Sequence, residues 1–175
     1  MLFGSTFYLN ENKFYAYVGG NPVNAIDPLG LIGYICNKGP NIGIALPIYF
    51  QGGTPESIAR ISSSIEKSWT GSFGMYNVKL TVLNVSSPSS AVNTVKVIPG
   101  SGTSSAGGNY GSFYESSAWG NLVYGHEAGH LLGLPDRQGT TSGIMGRDLR
   151  GANPTNTDLE QAMADEGNKM GCGCQ

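Results

Sequence analysis

Hydrophobic positions along this chain switch between a period of two and a period near 3.6, and each switch predicts an element. Residues 14–18, FYAYV, read as a strand followed by two proline turns. Asn41–Gln51, NIGIALPIYFQ, is apolar and β-prone, which predicts a buried strand. Thr54, Pro55 and Glu56 then read as an N-cap, a proline at the first helical position and an early acid. Ile58, Ile61, Ile65 and Trp69 follow at helical spacing, so an amphipathic helix should run to about Trp69. Val78, Leu80, Val82 and Asn84 alternate with Lys79, Thr81, Leu83 and Val85, the pattern of a strand with both faces partly covered.

Residues 94–98 and 112–118 read as further short strands. Between the strands, residues 86–90 form a serine and proline turn, and residues 99–111 a glycine and serine loop expected at the surface. That loop, containing GSGTSSAGG, lacks the lysine and the following helix that a phosphate cradle needs. Near the end, Thr157, Asp158, Leu159 and Glu160 read as a capping box opening a helix to about Asp165, with Leu159 and Met163 facing the core. Strands and helices in this order predict an α+β fold.

The stretch with chemistry in it is residues 121–136, NLVYGHEAGHLLGLPD. His126 and His130 are the only two histidines of the chain. Four residues apart on a helix, they share a face and can hold one metal ion from the same side, with Glu127 beside them as a general base. At average residue frequencies this H-E-x-x-H pattern arises by chance in a chain this long on the order of once in a few hundred cases. A catalytic zinc takes three protein ligands. With no histidine left, the third must be an oxygen or a thiolate. Gly133 can adopt positive φ and end the helix, Pro135 stiffens the return, and Asp136 then arrives near the imidazoles. Glu160 on the downstream helix is the competing oxygen donor. Its cap role is a competing use for that carboxylate.

Residues 142–146, SGIMG, make a tight turn carrying Met145. HEAGHLLGLPD followed by such a turn resembles the metzincin metallopeptidases, and its aspartate version looks most like the snapalysin group of small secreted bacterial peptidases. The resemblance covers roughly the last two-thirds of the chain, but its specific part is these two motifs. It implies a zincin fold with a mixed twisted sheet, an active-site helix and a C-terminal helix. It also implies zinc on His126, His130 and Asp136, and Met145 as the floor beneath the metal. In astacin-like members a tyrosine two residues after that methionine ligates the metal; Arg147 stands there in this chain, so no such switch is expected. The family binds substrate as an added antiparallel strand, and residues 111–118 are the candidate edge, with an ordinary edge strand as the competing reading.

Residues 1–31 carry a different resemblance. Their Tyr15-to-Val18, Asn21-to-Asn24 and Asp27-Pro28-Leu29-Gly30-Leu31 pieces are similar to the end of the core of Rhs-repeat proteins, which cut themselves after this motif and enclose a C-terminal toxin. The upstream half of that core is missing, so the fragment should not cleave itself. The resemblance divides the chain into residues 1–31, the end of an Rhs core with Asp27, Pro28, Gly30 and Leu31 as its cleavage motif, and residues 32–175, a zinc metallopeptidase toxin domain. It implies an Rhs shell in the full-length parent, a cognate immunity protein, and secretion or delivery into a target cell as a bacterial effector.

Composition narrows the partners. A formal net charge of -2 without a basic cluster argues against nucleic acid and anionic membrane. With 27 glycines and 13% charged residues the chain suits a small, loop-rich extracellular fold. No apolar run is long enough to span a bilayer, and the start lacks the basic and apolar regions of an ordinary signal peptide. The cysteines are Cys36, Cys172 and Cys174, and two states stay open: a bridge from Cys36 to a tail cysteine, or free thiols throughout. The expected function is a zinc-dependent endopeptidase acting on a protein target. A zinc-stabilised binding toxin with weak or no catalysis, and a metallopeptidase of another clan using Glu160, are the alternatives.

Overall fold

The computed structural model describes residues 33–117, 120–137, 143–146, 153–165 and 167–170. The strand expected at residues 14–18, the motif from Asp27 to Leu31, Arg147 and the cysteines Cys172 and Cys174 lie outside the described residues.

The described chain is α+β, with one mixed sheet and three helices. The strands are β1 (Tyr34–Lys38), β2 (Asn41–Gln51), β3 (Gly71–Phe73), β4 (Tyr76–Asn84), β5 (Asn93–Gly102), β6 (Ser105–Gly107), β7 (Tyr110–Ser117) and β8 (Lys169–Met170). The helices are α1 (Pro55–Trp69), α2 (Leu122–Leu131) and α3 (Asn156–Ala164). The main path of the sheet runs β3-β4-β2-β5-β7-β6. Its interior pairs, β4 with β2, β2 with β5 and β5 with β7, are parallel, while β3 and β6 close the two ends antiparallel. β2 is the centre. β4 lies along its residues 41–48, while β1 pairs with residues 41–45 and β5 with residues 48–51, so these two must share the opposite edge.

Strand β2 has the bounds its composition predicts, and Ile44 to Ile48 is a buried run, as a strand with neighbours on both sides requires. Helix α1 also follows the sequence. Thr54 caps it, accepting from Ser57 N while the Ser57 hydroxyl answers to the cap backbone, and Pro55 occupies the first turn. Ile61, Ile65 and Trp69 are fully buried on its inner face. They pack into one core with Leu46 and Ile48 of β2, Val95 and Val97 of β5, Phe113 of β7 and the inner residues of α2.

Three expectations are corrected. In β4 only one face is covered: Val78 and Leu80 are buried, but Lys79, Thr81 and Leu83 are exposed, because the helices pack on one side of the sheet at this end. The glycine and serine stretch at residues 99–111 is largely strand. β5 continues to Gly102, and β6 pairs with β7 through a two-residue turn at Gly108 and Asn109, where Gly108 has φ +57°. Gly-Asn between two strands is a hairpin signal, hidden here by the surrounding serines and glycines. Consequently the expected edge at residues 111–118 is covered at Gly111 and Ser112, where β6 pairs, while from Phe113 to Ser117 the described strand pairs with β5 alone. Over residues 110–112 β7 lies between β5 and the short antiparallel β6, which is the outermost strand there.

The last helix starts earlier than expected. Two T-x-x-acid patterns overlap, and the capping box is Thr155 with Asp158, not Thr157 with Glu160. Thr157 sits inside the first turn instead. Of the two cysteine states, Cys36 is disulfide-bonded. The parallel pairing of β8 with β1 brings Met170 opposite Ile35, one residue from it. No helix among the described residues is long and apolar enough to cross a membrane.

Candidate metal centre

Helix α2 is buried on nearly every side: Val123, Tyr124, Gly125, Glu127, Ala128, Gly129 and Leu131 are all buried. Such a helix must lie at the centre of the packing. Its two inner glycines are there for close approach. A Cβ on Gly125 would strike Cβ and Oγ of Ser68 on α1, and Trp69 Nε1 donates to the Gly125 carbonyl at 2.8 Å across the same contact. A Cβ on Gly129 would strike the sulfur of Met145. Met145 is 1% exposed, so the residue expected as a floor does lie directly against the helix between its histidines.

The helix ends as its glycine predicts. Gly133 has φ +84°, its N–H donates to the His130 carbonyl at 3.0 Å, and Leu134 N–H donates to the Gly129 carbonyl at 3.0 Å. This is the paired bonding of a Schellman turn. It buries Leu134 and turns its carbonyl back to His130 Nδ1, 2.7 Å away. His126 Nδ1 stands in the same relation to the Ile144 carbonyl, also at 2.7 Å. A carbonyl can only accept, so both Nδ1 atoms carry the hydrogen, and both neutral rings present the Nε2 lone pair.

Those lone pairs converge on Asp136. Its Oδ1 is 3.2 Å from His126 Nε2 and 3.4 Å from His130 Nε2. The rings meet edge to face with centroids 4.8 Å apart. The three ligand atoms lie within 4.8 Å of one another. Donors held at about 2.0–2.1 Å by a tetrahedral ion are roughly 3.3–3.4 Å apart; the two imidazole–carboxylate spacings match that length, and the 4.8 Å span would have to close on an ion. Three acceptors facing one another repel unless something positive lies between them. Protonating the rings is one answer, but burial pulls the His130 pKa below its ordinary value, against the pull of the Leu134 bond and of Asp136. A metal ion is the other answer, and it too leaves the Nδ1 bonds as they stand. His126, His130 and Asp136 could therefore hold one.

Glu127 points to neighbouring space. It is 6% exposed, and burial pushes its pKa up to about 7, opposed by the backbone N–H of Ala106 in β6 and helped by the charge of Asp136. A carboxyl that shares its proton about equally with solvent near neutral pH can act as base and then as acid. The other oxygen candidate is elsewhere in its contacts: Glu160 is exposed on α3, with Oε1 3.5 Å from the Tyr76 hydroxyl.

The sequence pattern missed the second layer. The Ile144 and Leu134 carbonyls that set both tautomers are backbone groups with no residue signature, although the Leu134 one follows from the turn that Gly133 makes. Arg137, next to Asp136, also passed unnoticed. Its N–H donates to the Met145 carbonyl at 2.9 Å, tying the returning chain to the methionine turn. Comparison with protein-family models and with curated proteins finds no match.

Proposed function

We propose that this chain is a zinc-dependent endopeptidase of metzincin type, carried as the toxin tip of an Rhs-repeat protein. The observation that carries the reading is the convergence of His126 Nε2 and His130 Nε2 on Asp136 Oδ1, at 3.2 and 3.4 Å, with the raised carboxyl of Glu127 next to them. Two imidazoles and a carboxylate are a donor set that suits zinc, and three protein ligands leave a position open for chemistry. When bound, the ion would act as a Lewis acid on the scissile carbonyl and make a water more acidic.

The rest is done by the chain. Glu127 takes the proton of the attacking water and returns it to the leaving amine. The Nδ1 bonds to Ile144 and Leu134 hold each ring in the tautomer that offers Nε2. β6, the outermost strand and the one whose Ala106 N–H reaches Glu127, joins residues 113–117 of β7 as the edge along which an extended peptide would lie. The order β2, α1, β4, β5, β7, α2 keeps the strand and helix succession of the metzincin resemblance, and the antiparallel β6 beside α2 is consistent with it. The Asp27-to-Leu31 motif supports the Rhs origin, and with it delivery into a target cell and an immunity protein in the producer.

Glu127→Ala is the test. The residue is not among the three ligands, so the variant should keep its zinc and its fold. It should lose about a hundred- to ten-thousand-fold of hydrolysis on a broad peptide library. Toxicity in an expressing cell should vanish with it. Full toxicity from a folded, zinc-loaded Glu127→Ala protein would instead assign the toxic effect to gripping a target.

A further inference from the structure

The residue after Asp136 turns its side chain away from the candidate site. Nη2 of Arg137 lies 2.6 Å from Oδ1 of Asp158, and Nη1 donates to Thr155 Oγ1 at 3.2 Å. Asp158 is fully buried in the first turn of α3. Its other oxygen accepts from Thr155 N at 2.7 Å and from Thr155 Oγ1 at 2.8 Å. A capping box needs an acceptor at this place but not a charge: in α1 the neutral Ser57 does the same job. Taking two ions out of water costs about as much as their attraction returns. Helix capping and net stability therefore leave the arginine unexplained.

Its place in the chain explains it. Asp136 is 66% exposed, and among the described residues its side chain meets the two imidazole nitrogens, so the backbone on either side holds it in position. On one side stands the turn at Gly133. On the other, Arg137 bridges to Gly146 and donates its N–H to Met145 O. The segment it meets is itself fixed to the start of α3. Ile144 N–H donates to Asn153 O at 2.9 Å, and a Cβ on Gly143 would come within 3.2 Å of Asp158 Oδ2. That segment also supplies the carbonyl that orients His126.

We infer that Asp158 is a positioning residue for the metal centre: through Arg137 it holds residues 136–137 against residues 144–146, so that Asp136 Oδ1 meets both imidazoles. The inference rests on reading His126, His130 and Asp136 as a metal site. The test measures metal affinity, not turnover, on the full chain. Zinc is competed against a chromophoric chelator, and the visible absorption of bound cobalt(II) reports the ligand field. The wild type is measured first; if it binds neither metal, the reading of the site fails and takes this inference with it. If it binds, Asp158→Asn, which keeps an acceptor for Thr155 but drops the charge, should lose about ten- to a hundred-fold in affinity while circular dichroism shows the fold intact. Its cobalt spectrum should change as well. Arg137→Met should lose as much, and Arg137→Lys should recover part of it. Ile61→Val, in the core away from the site, should lower the thermal midpoint and leave affinity unchanged. Wild-type affinity in folded Asp158→Asn and Arg137→Met proteins would overturn the inference and leave the pair a packing feature. Should Asp158→Asn fail to fold, Arg137→Met decides alone, since its side chain is 22% exposed and reaches the surface.

Discussion

The candidate site has two halves, and they are held by different means. His126, Glu127 and His130 belong to one buried helix, and their relative positions follow from its pitch. Asp136 and Met145 belong to the chain that returns from that helix, and their positions depend on contacts distant in sequence. The helix half is deeply seated: the two imidazoles are 12% and 16% exposed, and Asp136 is 66% exposed. In the return half the buried groups are the supports, Met145, Leu134 and Asp158, while the functional oxygen stands in solvent. A ligand placed this way is cheap to remove for the fold and costly for the metal. The helix half carries the opposite balance, because a buried carboxyl such as Glu127 loads the fold itself.

Asp136→Ala breaks the return half alone. Loss of a direct ligand should weaken zinc binding by more than the ten- to hundred-fold typical of supporting residues, so at least about a hundred-fold. Metal-free stability should stay within about 0.5 kcal/mol, as for a surface change. Equilibrium zinc competition and urea unfolding in chelator measure the two quantities. Wild-type affinity in Asp136→Ala would remove Asp136 from the site. Asp136→His should keep metal with an altered pH profile.

Glu127→Gln tests the load carried by the helix half. Burial raises the Glu127 pKa to about 7 from an unfolded value near 4.5, so the native state holds a proton that the unfolded chain has released. Its contribution therefore favours folding at low pH and is lost as pH rises from about 4.5 to 7. The glutamine variant has no such titration. Measured without metal, the stability of wild type relative to Glu127→Gln should fall across that window by on the order of 1–3 kcal/mol and be flat above it. His130 titrates in both proteins, with burial shifting it the other way, so the difference isolates Glu127. A difference independent of pH would mean that the carboxyl is solvated.

What the sequence made legible follows the same division. The bounds of β2 and α1, the histidine spacing and the turn at Gly133 are local properties, set by period, caps and the sign of one φ, and they could be read within a dozen residues. The rest depends on partners far along the chain. Overlapping T-x-x-acid patterns at Thr155 and Thr157 are equivalent as local signals, and Asp158 is drawn into the box and the interior by Arg137, a contact that no window around α3 contains. The bare side of Gly129 means nothing until Met145 is laid against it. β6 was hidden because three residues among serines and glycines carry no apolar alternation, and only its pairing with β7 makes it a strand.

The smallest expected effect is the one that separates the two oxygen donors. With Glu160 as N3 of a capping box, its removal would cost a cap, about 1 kcal/mol. The box belongs to Thr155 and Asp158, however, and Glu160 is exposed, with a long contact of 3.5 Å to the Tyr76 hydroxyl. Glu160→Ala should therefore change stability by less than about 0.5 kcal/mol. Zinc stoichiometry and affinity should be those of the wild type, because the carboxylate that meets both Nε2 atoms is that of Asp136. Chemical denaturation and zinc competition on this variant, run beside Asp136→Ala, give a paired answer. A Glu160→Ala protein that loses its metal while Asp136→Ala keeps it would move the third ligand onto α3 and end the metzincin reading. Unchanged metal and stability in Glu160→Ala would leave the return from Gly133 as the segment that completes the site.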